Sequence, residues 1–147
     1  MAEAIPTYRG VVYPWHCDHV GHMNVMWYVS KFDEATWFFL NELGLTRSLL
    51  EDEKRGMAAV EQRIAYRREV RAGTALAVDT VLLEVRERVL RFAHTMRIAE
   101  SGEVAAVMMQ TTVFLDTERR RAAPLPEAVR ERARGLVTSA TLPWEAQ

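Results

Sequence analysis

Apolar residues recur at helical spacing most clearly in NVMWYVSKFDEATWFFLNELG. There Val25, Tyr28, Val29, Phe32, Ala35, Phe39 and Leu43 follow the i, i+3, i+4, i+7 rule. Asn24 reads as the N-cap and Gly44 stands where a C-terminal glycine belongs. Met26, Trp27, Trp37, Phe38 and Leu40 lie off that stripe, so the predicted helix is covered on several sides.

Around it the pattern is that of strands. YRGVVY, residues 8–13, predicts a strand stopped by Pro14, and a helical turn falls near Thr46 to Lys54. Long strands follow at Met57 to Val70, Ala75 to Arg86, Val89 to Ala99 and Glu103 to Asp116. The third of these alternates, with Leu90, Phe92, His94, Met96 and Ile98 on one face. Ser101-Gly102 is a hairpin turn signal. The strand from Glu103 is apolar on both faces, as a central strand is. PEAVRERARG then predicts a short helix with proline in its first turn and Gly135 beyond its end. The order predicts an α+β fold in which an antiparallel five-stranded sheet wraps around one long helix, the only element able to fill its concave face. Such a small apolar sheet favours pairing with a second copy.

At 147 residues, 49% of them hydrophobic, the chain predicts one domain over 1–147, with a core at about 8–116 and a C-terminal extension at 117–147. A net charge of -1 disfavours nucleic-acid or anionic-membrane partners. No run approaches the ~18 apolar residues that span a bilayer, and the N-terminus lacks a leader pattern, so a cytoplasmic location is expected. Cys17 is the single cysteine and has no partner for an internal disulfide, in keeping with a reducing compartment.

Titratable chemistry concentrates in WHCDHVGHMN, residues 15–24, just ahead of the predicted helix. Free amides and the positive end of the helix dipole favour an ionised Asp18, able to act as base or nucleophile. If Asn24 caps through its side chain, the amide of Val25 stays open to an oxyanion. Such minimal equipment suits a thioester, because a thiol with pKa near ~8.5 leaves with little acid assistance. A serine hydrolase is disfavoured, since none of Ser30, Ser48, Ser101 and Ser139 sits in a G-x-S-x-G elbow.

The stretch D18-H-V-G21-H22-M-N24-x-x-x-Y28, with the helix following directly, resembles the active-site loop of hot-dog-fold acyl-CoA thioesterases of the 4-hydroxybenzoyl-CoA thioesterase type. YRREVRAGTAL (66–76) and RRRAAPLPEAVRER (119–132) are similar to later segments of that family, and the resemblance covers roughly residues 8–134. It implies a hot-dog fold and hydrolysis of an acyl-CoA thioester to free acid and coenzyme A. By the same resemblance Asp18 is the catalytic carboxylate, as nucleophile through an anhydride or as base on water. The backbone donor maps onto Val25 and the loop-turning glycine onto Gly21. A homodimer with interfacial sites, often paired into a homotetramer, is implied, with no metal and no cofactor. The loop carries more histidines, His16, His19 and His22, than the family's pattern requires.

His22 has two readings, one orienting Asp18 or lining the thioester pocket, the other a loop histidine bonded to backbone. His16, Asp18, His19 and His22 have the atom types of a zinc site, but four ligands from so short a loop rarely reach good geometry. Cys17 is a poor nucleophile beside Asp18, which raises a thiol pKa. His94 reads as a hydrogen-bonded core histidine. Trp15, Trp27, Tyr28 and Trp37 are either core and dimer packing, the simpler reading, or a substrate-binding set that cages a trimethylammonium acyl group by cation-π contact. Arg119, Arg120 and Arg121 are either a solvated end or contacts to coenzyme A phosphates. Two rivals to hydrolysis stand: a hot-dog hydratase or dehydratase on acyl thioesters, and a non-catalytic acyl-CoA-binding protein.

Overall fold

The computed structural model describes residues 3–145. Its strands are β1 (Ile5–Val11), β2 (Arg55–Tyr66), β3 (Ala75–Val85), β4 (Val89–Ile98), β5 (Val104–Asp116) and the two-residue β6 (Arg121–Ala122). The helices are α1 (Val25–Glu42), α2 (Arg47–Asp52) and α3 (Glu127–Arg134). One antiparallel sheet runs β1-β3-β4-β5-β2, with β6 added to the end of β5. The five expected strands form that path, and the two-residue β6 is an addition to it. The sixth arises where Arg120, at φ 58, turns the chain back so that Leu115 and Asp116 pair with Ala122 and Arg121.

Strand boundaries also move. β1 begins at Ile5 rather than Tyr8, because an edge strand accommodates Pro6 with a register shift before Tyr8. β2 ends at Tyr66 rather than Val70, because the amides of Arg67 and Arg68 both turn onto the carbonyl of Ala105 and leave the ladder. Pro126 stands at the N-cap of α3 rather than inside its first turn.

Helix α1 lies in the sheet's concave face, and two apolar clusters meet along it. Phe39, Leu40 and Leu43 pack with Leu82, Leu90, Phe92 and Phe114. Tyr28, Phe32 and Ala35 pack with Leu76, Val78, Met96 and Met108. Full burial of residues such as Phe32 and Phe39 stabilises by roughly 1.5–3 kcal/mol each. A buried polar chain adds register to this packing. His94 of β4 meets Thr80 of β3 at 2.7 Å and Thr36 of α1 at 2.8 Å, and Thr80 meets Thr7 of β1 at 2.8 Å. Thr36 donates its hydroxyl proton to the Phe32 carbonyl, so His94 Nε2 is the donor toward Thr36 and Nδ1 accepts from Thr80. His94 is a satisfied core histidine, and it fixes the helix against three strands.

The extension after Asp116 belongs to the packed structure. Leu125, Val129 and Ala133 join the first cluster. Val137 then bridges to Leu82, and Leu142 and Trp144 lie with Ala93, Val107 and Met109 on the sheet face turned away from α1. Among the described residues no helix is long and apolar enough to cross a membrane.

Candidate active site

The loop between β1 and α1 is held by backbone bonds at both ends. The Asn24 amide donates to the His16 carbonyl at 2.8 Å, the Met23 amide to Val70 at 2.8 Å, and the Asp18 amide to His22 at 3.2 Å. Gly21 sits at φ 95, a left-handed conformation that costs a side-chain-bearing residue strain, and its amide reaches the Asp18 carbonyl at 3.0 Å. The loop is thus a fixed frame around the Asp18 carboxylate.

Both oxygens of that carboxylate are used. Oδ1 accepts from the Val20 amide at 2.9 Å and Oδ2 from the Asn24 side-chain amide at 2.8 Å. The Asn24 bond, then the Val20 bond, hold the Asp18 carboxyl below the usual carboxylate range, outweighing its desolvation. Asn24 also accepts from the Met26 amide through Oδ1 at 3.0 Å, so one side chain caps α1 and grips Asp18. The Val25 amide, first in the helix, makes no hydrogen bond among the described residues.

Asp18, His22, Val25 and Tyr28 line one open cleft of about 430 Å³, with Tyr66, Arg67, Arg68 and Glu69 on the facing side. His22 Nε2 lies 2.8 Å from Glu69, so its partner is that carboxylate rather than Asp18 or backbone. Tyr28 donates to the Arg68 carbonyl at 3.0 Å and meets Tyr66 edge-on, ring centroids 5.2 Å apart. Burial raises both phenol pKa values, with Tyr66 and Glu69 adding to the effect at Tyr28, so the two rings are neutral at physiological pH.

The remaining expected residues are placed elsewhere. Trp27 does not line this cleft; its ring packs on His16 at 4.6 Å, and His16 accepts the Tyr13 amide at 2.9 Å. Burial, then the nearby Lys31 charge, lower the His16 pKa. Trp15 stacks on Tyr13 at 4.6 Å, and Trp37 borders a separate groove with Leu50 and Arg47. The four aromatics therefore form no single cage within the chain; helix geometry sends positions 27, 28 and 37 to different sides of α1. His16 and His22 turn to different partners, and His19 is exposed. Tyr66, Glu69 and the two arginines were not singled out as site residues from the sequence. The available signal was YRRE, four polar residues crowded at the end of a strand otherwise bordered by apolar ones.

A curved antiparallel sheet around one long helix, with a carboxylate loop at the helix start, defines a hot-dog-fold thioesterase. The family model of the thioesterase-like superfamily matches residues 12–133, and the chain belongs to that superfamily. A betainyl-CoA thioesterase of Pseudomonas aeruginosa is 25% identical over 136 residues, covering 92% of this chain and 86% of that protein. An L-carnitine dehydrogenase/betainyl-CoA thioesterase of Agrobacterium fabrum is 32% identical over 114 residues, which cover 76% of this chain and 23% of that longer protein. A solved Staphylococcus aureus protein in complex with CoA superposes with a TM-score of 0.89 at 18% identity, covering 99% of this chain and 92% of that one.

Proposed function

We propose that the protein hydrolyses the CoA thioester of a small acyl group bearing a quaternary ammonium, such as betainyl-CoA, with Asp18 as the acting carboxylate. The observation that carries the hydrolytic reading is the Asp18 carboxylate, kept ionised by Asn24 and Val20 beside the open Val25 amide in one cleft. Asp18 either attacks the thioester carbonyl, giving an aspartyl anhydride and CoA thiolate that water then resolves, or removes a proton from the attacking water. In either route the Val25 amide faces the developing oxyanion, and the thiolate leaves without a strong acid. Glu69, in contact with His22, shapes the opposite wall. The acyl assignment rests on the rings of Tyr28 and Tyr66 together with the carboxylates Asp18 and Glu69, which suit a permanent cation, and on the names of the two relatives.

The same reading includes a homo-oligomer, a dimer or a dimer of dimers. Strand β2 is a sheet edge exposed from Ala59 to Arg63, and Val25, Met26 and Val60 are each more than half exposed, a surface suited to a second copy.

Thiol release from a panel of acyl-CoAs, followed with a thiol-reactive dye, tests the activity. Asp18→Asn is expected to lower kcat by at least ~100-fold with the circular dichroism spectrum retained. Near-normal turnover by the folded variant refutes the mechanism. Betainyl-CoA should be preferred over 3,3-dimethylbutyryl-CoA, its uncharged isostere, by roughly tenfold in kcat/KM, as a partly desolvated cation-π contact supplies. Equal rates remove the acyl assignment and leave hydrolysis standing.

A further inference from the structure

The Asp18 cleft does not end at Arg67 and Arg68. The same two residues line a second groove of about 570 Å³ on the sheet face turned away from α1. Its floor is Val81, Ala93 and Val107, and the segment Ala140 to Pro143 forms a side wall. The two cavities differ in charge. The first sets the carboxylates Asp18 and Glu69 and two phenol rings against the shared Arg67 and Arg68, whereas the second adds Arg97 to those two arginines against the single acid Glu103. Arg68 is held by Glu103 at 2.8 Å, and Arg97 contacts the Gly102 carbonyl at 3.3 Å and Asp79 at 3.8 Å. Arg67 makes no ion pair among the described residues.

We propose that this second groove seats the phosphate-bearing nucleotide end of the CoA ester, so that the substrate lies across the Arg67–Arg68 lip. The inference rests on the hydrolase reading above. A cationic acyl group and a polyanionic nucleotide form the two ends of one molecule, and of the two cavities that share Arg67 and Arg68, one holds Asp18 and Glu69 and the other has the excess of positive charge. Guanidinium groups match phosphate geometry, and the apolar floor suits an adenine ring. Another arginine group, Arg55, Arg88, Arg119 and Arg121, lies at the far end of β2. Arg55 opens that strand and Tyr66 closes it, so this group stands roughly 35 Å from the cleft of its own chain.

Calorimetric titration with CoA and with adenosine 3′,5′-bisphosphate measures binding without turnover. The paired variant Arg67→Gln with Arg97→Gln is expected to weaken both ligands about tenfold. It should lower kcat/KM on the acyl-CoA by a similar factor, mainly through KM, and much less on the corresponding acyl-pantetheine, which has no nucleotide. The proposal is overturned if the variant, folded by circular dichroism, binds both ligands as wild type does. It is overturned equally if the loss follows Arg119→Gln with Arg121→Gln instead, or falls alike on both thioesters. CoA binding that depends on Arg67 and Arg97 in a protein releasing no thiol keeps the groove and removes the hydrolase. Hydrolysis indifferent to these arginines does the reverse.

Discussion

His94 makes the stability of this protein sensitive to acid in a way that can be calculated. Its ring is fully buried, and burial lowers its pKa from 6.5 to about 3. Both ring nitrogens are already engaged by Thr36 and Thr80, so a second ring proton forces the Thr80 hydroxyl to turn from donor to acceptor and leaves a charge among Phe32 and Phe92. The unfolded chain takes up that proton near 6.5 whereas the folded chain resists it until about 3. Stability is therefore full above pH 6.5 and falls as pH drops from 6.5 toward 3, because the unfolded state binds more protons across that window. At 1.36 kcal/mol per pH unit, lowering the pH from 7 to 4 removes about 3 kcal/mol through this one residue. Urea unfolding at fixed protein concentration, compared between wild type and His94→Gln at pH 7, 5.5 and 4, isolates the effect. Glutamine retains a donor and an acceptor and does not titrate, while every other ionisable group is common to both proteins. The stability difference between the two should shift by about 3 kcal/mol in the variant's favour at low pH. A difference constant with pH would show that the buried ring takes its proton without cost and would refute the linkage between its burial and acid sensitivity.

Asn24→Ala removes the largest cause of the lowered Asp18 pKa, so the acid limb of kcat/KM should move to higher pH, while loss of the cap costs about 1 kcal/mol of stability. A pH-rate profile with an unmoved acid limb would disprove the coupling between cap and carboxylate. Leu142→Ala should loosen the segment on the outer sheet face, with a stability cost of about 2 kcal/mol and faster proteolytic removal of the residues around Trp144. Unchanged protease protection would mean that Leu142 does not hold that segment.

Helix α1 and strands β3 to β5 were readable from the sequence to within a residue or so, because their periodicity is strong and Gly44 and Gly102 mark turns that need positive φ. Asp18, Asn24 and Val25 were readable as a unit for the same reason. A cap, its helix and a loop within seven residues of it are determined locally. The facing wall was not, since Tyr66 and Glu69 reach His22 and Tyr28 only after β2 has crossed the sheet, and nothing local at residue 66 announces that meeting. The aromatic set divides on a related ground. Trp27 and Tyr28 are adjacent in sequence, and adjacent residues on a helix point about 100° apart, which sent one to His16 and the other into the cleft. The boundaries of β1 and β2 depended on Pro6 at an edge and on the Ala105 carbonyl, both tertiary facts.

The double engagement of Asn24 has a thermal corollary. A single amide group ends the helix with one atom and restrains the reactive oxygen with another, so fraying of the first turn of α1 releases the carboxylate in the same motion. Helix ends open at far lower free energy than a core does. Warming should therefore silence turnover while Phe32, Phe39 and their neighbours are still packed, with enzymatic inactivation preceding the cooperative melt.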